Sequence, residues 1–96
     1  MATFITLVSF TDRGIMNIKD SPARFEAFRG MAEGLGVKVK SVFWTMGSYD
    51  MVVTVEGPEE AAAAALMKVG SLGNVRSQTL RGFDADEMNR ILTKMP

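Results

Sequence analysis

The stretch VKVKSVFWTMGSYDMVVTVE, residues 37–56, sets two β-branched and aromatic runs on either side of a short polar break. Val37 to Met46 and Asp50 to Glu56 have the composition of strands, because branched and aromatic side chains fit a pleated, half-buried surface. Gly47, Ser48 and Tyr49 leave too little chain between them for anything but a reversal, so the two runs form an antiparallel hairpin. Gly47 supplies the positive φ such a turn favours, Ser48 and Asp50 bond local backbone, and Tyr49 covers the hairpin end.

Upstream, Phe4 to Phe10 is a strand with apolar residues on both faces, and Thr11 or Asp12 caps a short helical turn carrying Ile15 and Ile18. Ser21-Pro22 opens a helix, with Ser as N-cap and Pro at the first position, where its missing N–H does no harm. Phe25, Phe28, Ala32 and Leu35 recur at helical spacing, with Arg24, Glu26, Arg29 and Glu33 opposite, and Gly36 stops the helix.

Downstream, Gly57-Pro58-Glu59-Glu60 starts a second helix with two carboxylates where the helix dipole favours them. Ala61 to Ala65 give strong helix propensity and a smooth flank for close packing, and the helix breaks at Gly70 or Gly73. Asn74 to Phe83 is the fourth strand. Asp84 then caps a last helix, expected to carry Met88, Ile91, Leu92 and Met95 inward.

Strand, helix, strand, strand, helix, strand is the α+β, ferredoxin-like βαββαβ order, here with an appended C-terminal helix. Residues 1–96 are read as one domain. Right-handed crossovers place the first and third strands at the centre of a four-stranded antiparallel sheet, with both main helices on one face.

Eleven basic and eleven acidic residues cancel, so no net field steers the chain onto phosphate backbones or anionic lipid. The compact basic pairs, Lys38/Lys40 and Arg76/Arg81, fall short of a nucleic-acid footprint, and Val75 to Leu80 lacks stacking aromatics. The lysines instead suit an edge strand guarded against unwanted pairing. With no Cys and no His, thiol chemistry, His general bases, His-ligated haem and the usual Zn sites are excluded. The scattered carboxylates show no calcium-loop spacing, so neither metal nor cofactor is expected. The apolar start is too short for a signal peptide or a membrane span, which gives a cytoplasmic expectation.

If the sheet face opposite the helices met water, its strands would alternate apolar and polar cleanly. They do not. The simple alternation of the second strand puts Val42, Trp44 and Met46 on one face, and Ile5 and Leu7 stand opposite Phe4, Val8 and Phe10 on the first. An uncovered apolar patch that includes or adjoins the only tryptophan follows, and a second copy, sheet facing sheet, would bury it.

Trp44, Thr45, Tyr49 and Asp50 cluster at one end of this sheet, where amphipathic rings and a carboxylate could hold a small polar ligand with an apolar body. Gly47 shapes the turn, and Arg76 and Thr79 add a cation and a hydroxyl. Structural tasks alone account for every residue of the same turn.

The segment G-S-Y-D, with F-W-T-M before it and M-V-V-T-V-E after, resembles the GYD domain family. The likeness extends to T-D-R-G-I-M-N-I-K-D-S-P before the first long helix and G-S-L-G-N-V-R-S-Q-T-L-R-G-F-D before the last. It implies the layout of a dimeric α+β barrel protein and leaves the activity open. A looser similarity joins the chain to effector-binding domains of leucine-responsive (Lrp/AsnC) regulators. These also carry a G-x-Y-D hairpin, and a G-V-x-x-x-x-T segment matched in part by Asn74-Val75-Arg76-Ser77-Gln78-Thr79. In them the hairpin region helps form a small-molecule site between dimers. No helix-turn-helix portion is expected here.

The leading expectation is therefore a homo-oligomeric module, a dimer or higher, binding a small metabolite near Trp44, Tyr49 and Asp50, without nucleic acid or membrane as partner. The alternatives are a cofactor-free monooxygenase or isomerase using Asp50 or Tyr49 as acid or base, and a purely structural oligomerisation domain.

Overall fold

The computed structural model covers residues 1–96. Nine-residue β1 (Ala2–Phe10) leads into a short α1 (Asp12–Met16), a 3-10 turn (Ile18–Asp20) and α2 (Ser21–Gly34). Then come β2 (Lys38–Trp44), β3 (Met51–Gly57), α3 (Glu59–Ser71), β4 (Val75–Gly82) and α4 (Ala85–Thr93). The sheet order is β2-β3-β1-β4, and all three pairings are antiparallel, so β1 and β3 are central as expected.

The core lies between the sheet and the two long helices. Phe4, Thr6 and Val8 of β1 and Met51, Val53 and Val55 of β3 are buried on that side, against Phe25, Phe28 and Ala32 of α2 and Ala62 and Ala65 of α3. The alanine run thus does what its small side chains allow, bringing α3 close to the core. Gly47 has φ +121°, the left-handed region the turn was expected to need.

Three local expectations are corrected. Ser21 is not the N-cap: it is the first residue of α2, is 3% exposed, and Asp20 precedes it without a side-chain cap. Its hydroxyl is drawn inward by Trp44, whose Nε1–H donates to Ser21 Oγ at 2.9 Å. Second, β2 does not alternate simply. The register jumps between Val39 and Ser41, a bulge at Lys40, so Val39, Val42 and Trp44 all pair with helix-face residues of β3 (Val55, Val53 and Met51). Trp44 therefore sits on the helix side, edge-on to Phe25 with ring centroids 5.9 Å apart. Phe43, 65% exposed, takes the outer face in its place.

Third, α4 does not point its apolar residues inward. None of its residues is buried, and Met88, Leu92 and the following Met95 are exposed. Asp84 does cap it, in a reciprocal capping box with Glu87, so the helix is locally well made. Its apolar stripe stays largely uncovered by its own chain: Ile91 is half-buried and Glu87 pairs with Arg81, while Met88 and Leu92 remain exposed.

Candidate functional site

The face of the sheet turned toward α2 and α3 is not completely filled. A cavity of about 460 Å³ lies between them, floored by Thr6, Val8, Met51, Val53 and Ser77 and walled by Phe25, Phe28, Met31, Leu66 and Val69. Thirteen of its twenty lining residues are hydrophobic. The floor hydroxyl of Thr6 is already engaged, 3.1 Å from Thr79 Oγ1, and no buried side-chain polar atom is left without a partner. What the interior offers a ligand is apolar contact and shape.

The mouth is different. Arg13 and Lys68 are exposed and Arg24 is half-buried, and these are the charged residues that line the cavity. Arg24 donates from Nη1 to the Asn17 carbonyl at 2.8 Å and from Nη2 to the Gly14 carbonyl at 3.3 Å, which ties α1 and the 3-10 turn to α2. The α3–β4 connection borders the same end. Thr11 N–H donates to the Asn74 carbonyl at 3.1 Å and Thr11 Oγ1 to the Gly73 carbonyl at 2.7 Å. Gly14 is buried against this connection, where any Cβ would run into the Asn74 carbonyl.

The seven residues expected to form a site do not converge on one point. Trp44 adjoins the cavity from behind, through Ser21 and Phe25, which both line it. Thr45 and Gly47 shape the hairpin, with Thr45 Oγ1 donating to the Tyr49 carbonyl at 2.7 Å. Tyr49 donates its hydroxyl to Gln78 Oε1 at 3.0 Å, on the outer face of β4. Asp50 accepts the Phe10 N–H at 2.8 Å, a bond to a distant strand and not to local backbone. Arg76 is exposed beside Ser9 on the outer face, whereas Thr79 pairs with Thr6 on the helix face.

Sequence reading missed the cavity because Phe25, Phe28 and Val69 carry the periodicity of ordinary core. The signal that could have drawn attention is Lys68 set between Leu66 and Val69, together with Arg24 beside Phe25.

A four-stranded antiparallel sheet with its two long helices on one face defines a ferredoxin-like α+β domain. Within that class, the chain belongs to the GYD domain family, whose model matches residues 4–92. A Thermus thermophilus protein named glutamine synthetase and cystathionine beta-lyase binding protein is 31% identical over 90 residues, 92% of this chain and 95% of that protein. Among solved structures, a feast or famine regulatory protein from M. tuberculosis complexed with L-methionine superposes with a TM-score of 0.66 at 17% identity, over 88% of this chain and 52% of that one. A leucine response regulatory protein from Mycobacterium tuberculosis gives a TM-score of 0.64 at 18% identity, over 88% of this chain and 51% of that one. The chain spans about half the length of these regulators, and at such identity the likeness is one of fold. No helix is long and apolar enough to cross a membrane.

Proposed function

We propose that the chain is a homo-oligomeric small-molecule-binding module, acting in the cytoplasm, that takes its ligand in the cavity between helices and sheet. The observation that carries this reading is the cavity itself. Its volume of about 460 Å³ lies within the range of small-ligand sites, roughly 300–1,000 Å³, and its apolar lining is the usual one. Trp44 belongs to this site as the wall behind Ser21, while Thr45, Gly47, Tyr49 and Asp50 hold the hairpin end that supports it. A regulator of the same fold holding L-methionine is consistent with a domain of this shape serving a small metabolite.

Self-association is supported by the outer face of the sheet. Ile5, Leu7 and Val52 are only half-buried there, and Phe43 and Leu80 are exposed. An apolar face of this kind on a small domain favours a partner with the same face.

Native mass spectrometry of the protein purified from its own cell tests the ligand. The expected result is a retained small molecule that is lost in Val69→Trp, which fills the cavity while circular dichroism shows the fold intact. A bare wild-type protein, or an equal retained mass in the variant, overturns the assignment.

A second reading has its own observation. The unpartnered apolar side of α4, with the relative named for binding two enzymes, supports a role in docking onto another protein. In that case Leu92→Glu would abolish association with the partner and leave the ligand bound.

A further inference from the structure

We propose that the cavity selects amphipathic monoanions, of the chemistry of a medium-chain carboxylate, seated with the apolar tail inside and the anionic head at Arg13, Arg24 and Lys68. This rests on the cavity being the ligand site, and it adds the chemical class.

The charge asymmetry of the lining is the first observation. Three cationic side chains line the cavity and no Asp or Glu does, although the chain as a whole carries equal numbers of each sign. A neutral apolar ligand would leave that asymmetry unused. A cationic ligand would meet repulsion at the mouth.

The second is how the cations are occupied. The side chains of the chain's two ion pairs are Arg29 with Glu26 and Arg81 with Glu87, so neither pair includes a mouth residue. Arg24 is fixed by the Asn17 and Gly14 carbonyls, which satisfy part of its guanidinium and hold its charge in place. Arg13 and Lys68 make no side-chain hydrogen bond within the chain and are free to close on an anion. A fixed guanidinium on the same cavity lining as two adaptable cations suits a carboxylate, whose bonds to charged donors are the strong ones.

The third is the absence of a counter-charge for an amine. The deep walls, Phe25, Phe28, Met31, Leu66 and Val69, supply apolar contact only. A free α-amino acid brings an ammonium that no lining carboxylate receives, so desolvating it would go uncompensated. Ligands are accordingly anions with an apolar body and no amine, a different class from the L-methionine held by the regulator of similar fold.

Calorimetric titration of the full chain with decanoate, 1-decanol and decylammonium tests this. Decanoate is expected to bind about tenfold more tightly than 1-decanol, the equivalent of one good charge-assisted contact, with decylammonium weakest. Arg13→Gln combined with Lys68→Gln is expected to erase most of the advantage of decanoate over 1-decanol. Added salt should shrink the same advantage, since the mouth is exposed. Equal binding of all three probes, or tightest binding of decylammonium, overturns anion selection while leaving the cavity as the ligand site. No binding of any probe at millimolar concentration overturns both.

Discussion

The Asp50 carboxylate accepts the Phe10 N–H at 2.8 Å, so the last residue of the hairpin turn holds the end of a strand forty positions away. Its own N–H donates to the Val8 carbonyl at 2.8 Å and its carbonyl accepts the Thr45 N–H at 2.9 Å. One residue thereby closes the ends of β1, β2 and β3. This accounts for a carboxylate at the turn without assigning it a reaction. Asp50→Ala is expected to lose about 1–3 kcal/mol in urea unfolding, because a part-buried amide is left without its acceptor. Asp50→Asn keeps an acceptor oxygen and should lose less than half as much. Equal stability of Asp50→Ala and wild type would remove the bond from the account of the turn.

Trp44 is the only tryptophan, and it touches two residues that line the cavity. Its emission should therefore shift when the cavity fills. The shift should vanish in Val69→Trp only after the new indole is accounted for, so Val69→Phe is the cleaner control. Ser21→Ala removes the acceptor of the indole N–H and should cost about 0.5–1.5 kcal/mol. Emission unresponsive to saturating ligand would place binding elsewhere.

Gly14 packs directly on the Asn74 carbonyl, backbone against backbone, where no flexible side chain can yield. Gly14→Ala should destabilise by about 1–3 kcal/mol, the usual range for overpacking. It should also weaken ligand binding, since Asn74 lines the cavity with Arg13 and is held there by Thr11. A thermal melt together with a titration separates the two effects, and an unchanged melt would contradict the close packing.

Phe43 stands on the outer face, 65% exposed. Phe43→Glu is expected to shift sedimentation at micromolar concentration toward the monomer, with little change in circular dichroism. A wild-type protein that already sediments as a monomer would end the proposal of self-association.

With no buried residue, α4 contributes nothing to the core. Truncation after Phe83 should leave a folded domain whose unfolding free energy changes by less than ~1 kcal/mol, in the manner of surface changes. A truncated chain that fails to fold would show that α4 packs in solution.

The order of elements and the central place of β1 and β3 were legible in residues 4–83, because strand and helix periods, Pro22, Gly36 and Gly47 each act locally. So was the edge position of Lys38 and Lys40, and the capping of α4 by Asp84. Three features depended on the tertiary structure. A single extra residue at Lys40 exchanges the faces of Phe43 and Trp44, and no periodicity announces a bulge. The stripe on α4 says that something will cover it, not whether its own chain does. The cavity arises because two inward faces, each read correctly as apolar from Phe25, Phe28, Leu66 and Val69, stand apart across the sheet. Hydrophobic pattern determines which way a side chain turns, and only the packing of distant elements decides how much space remains between them.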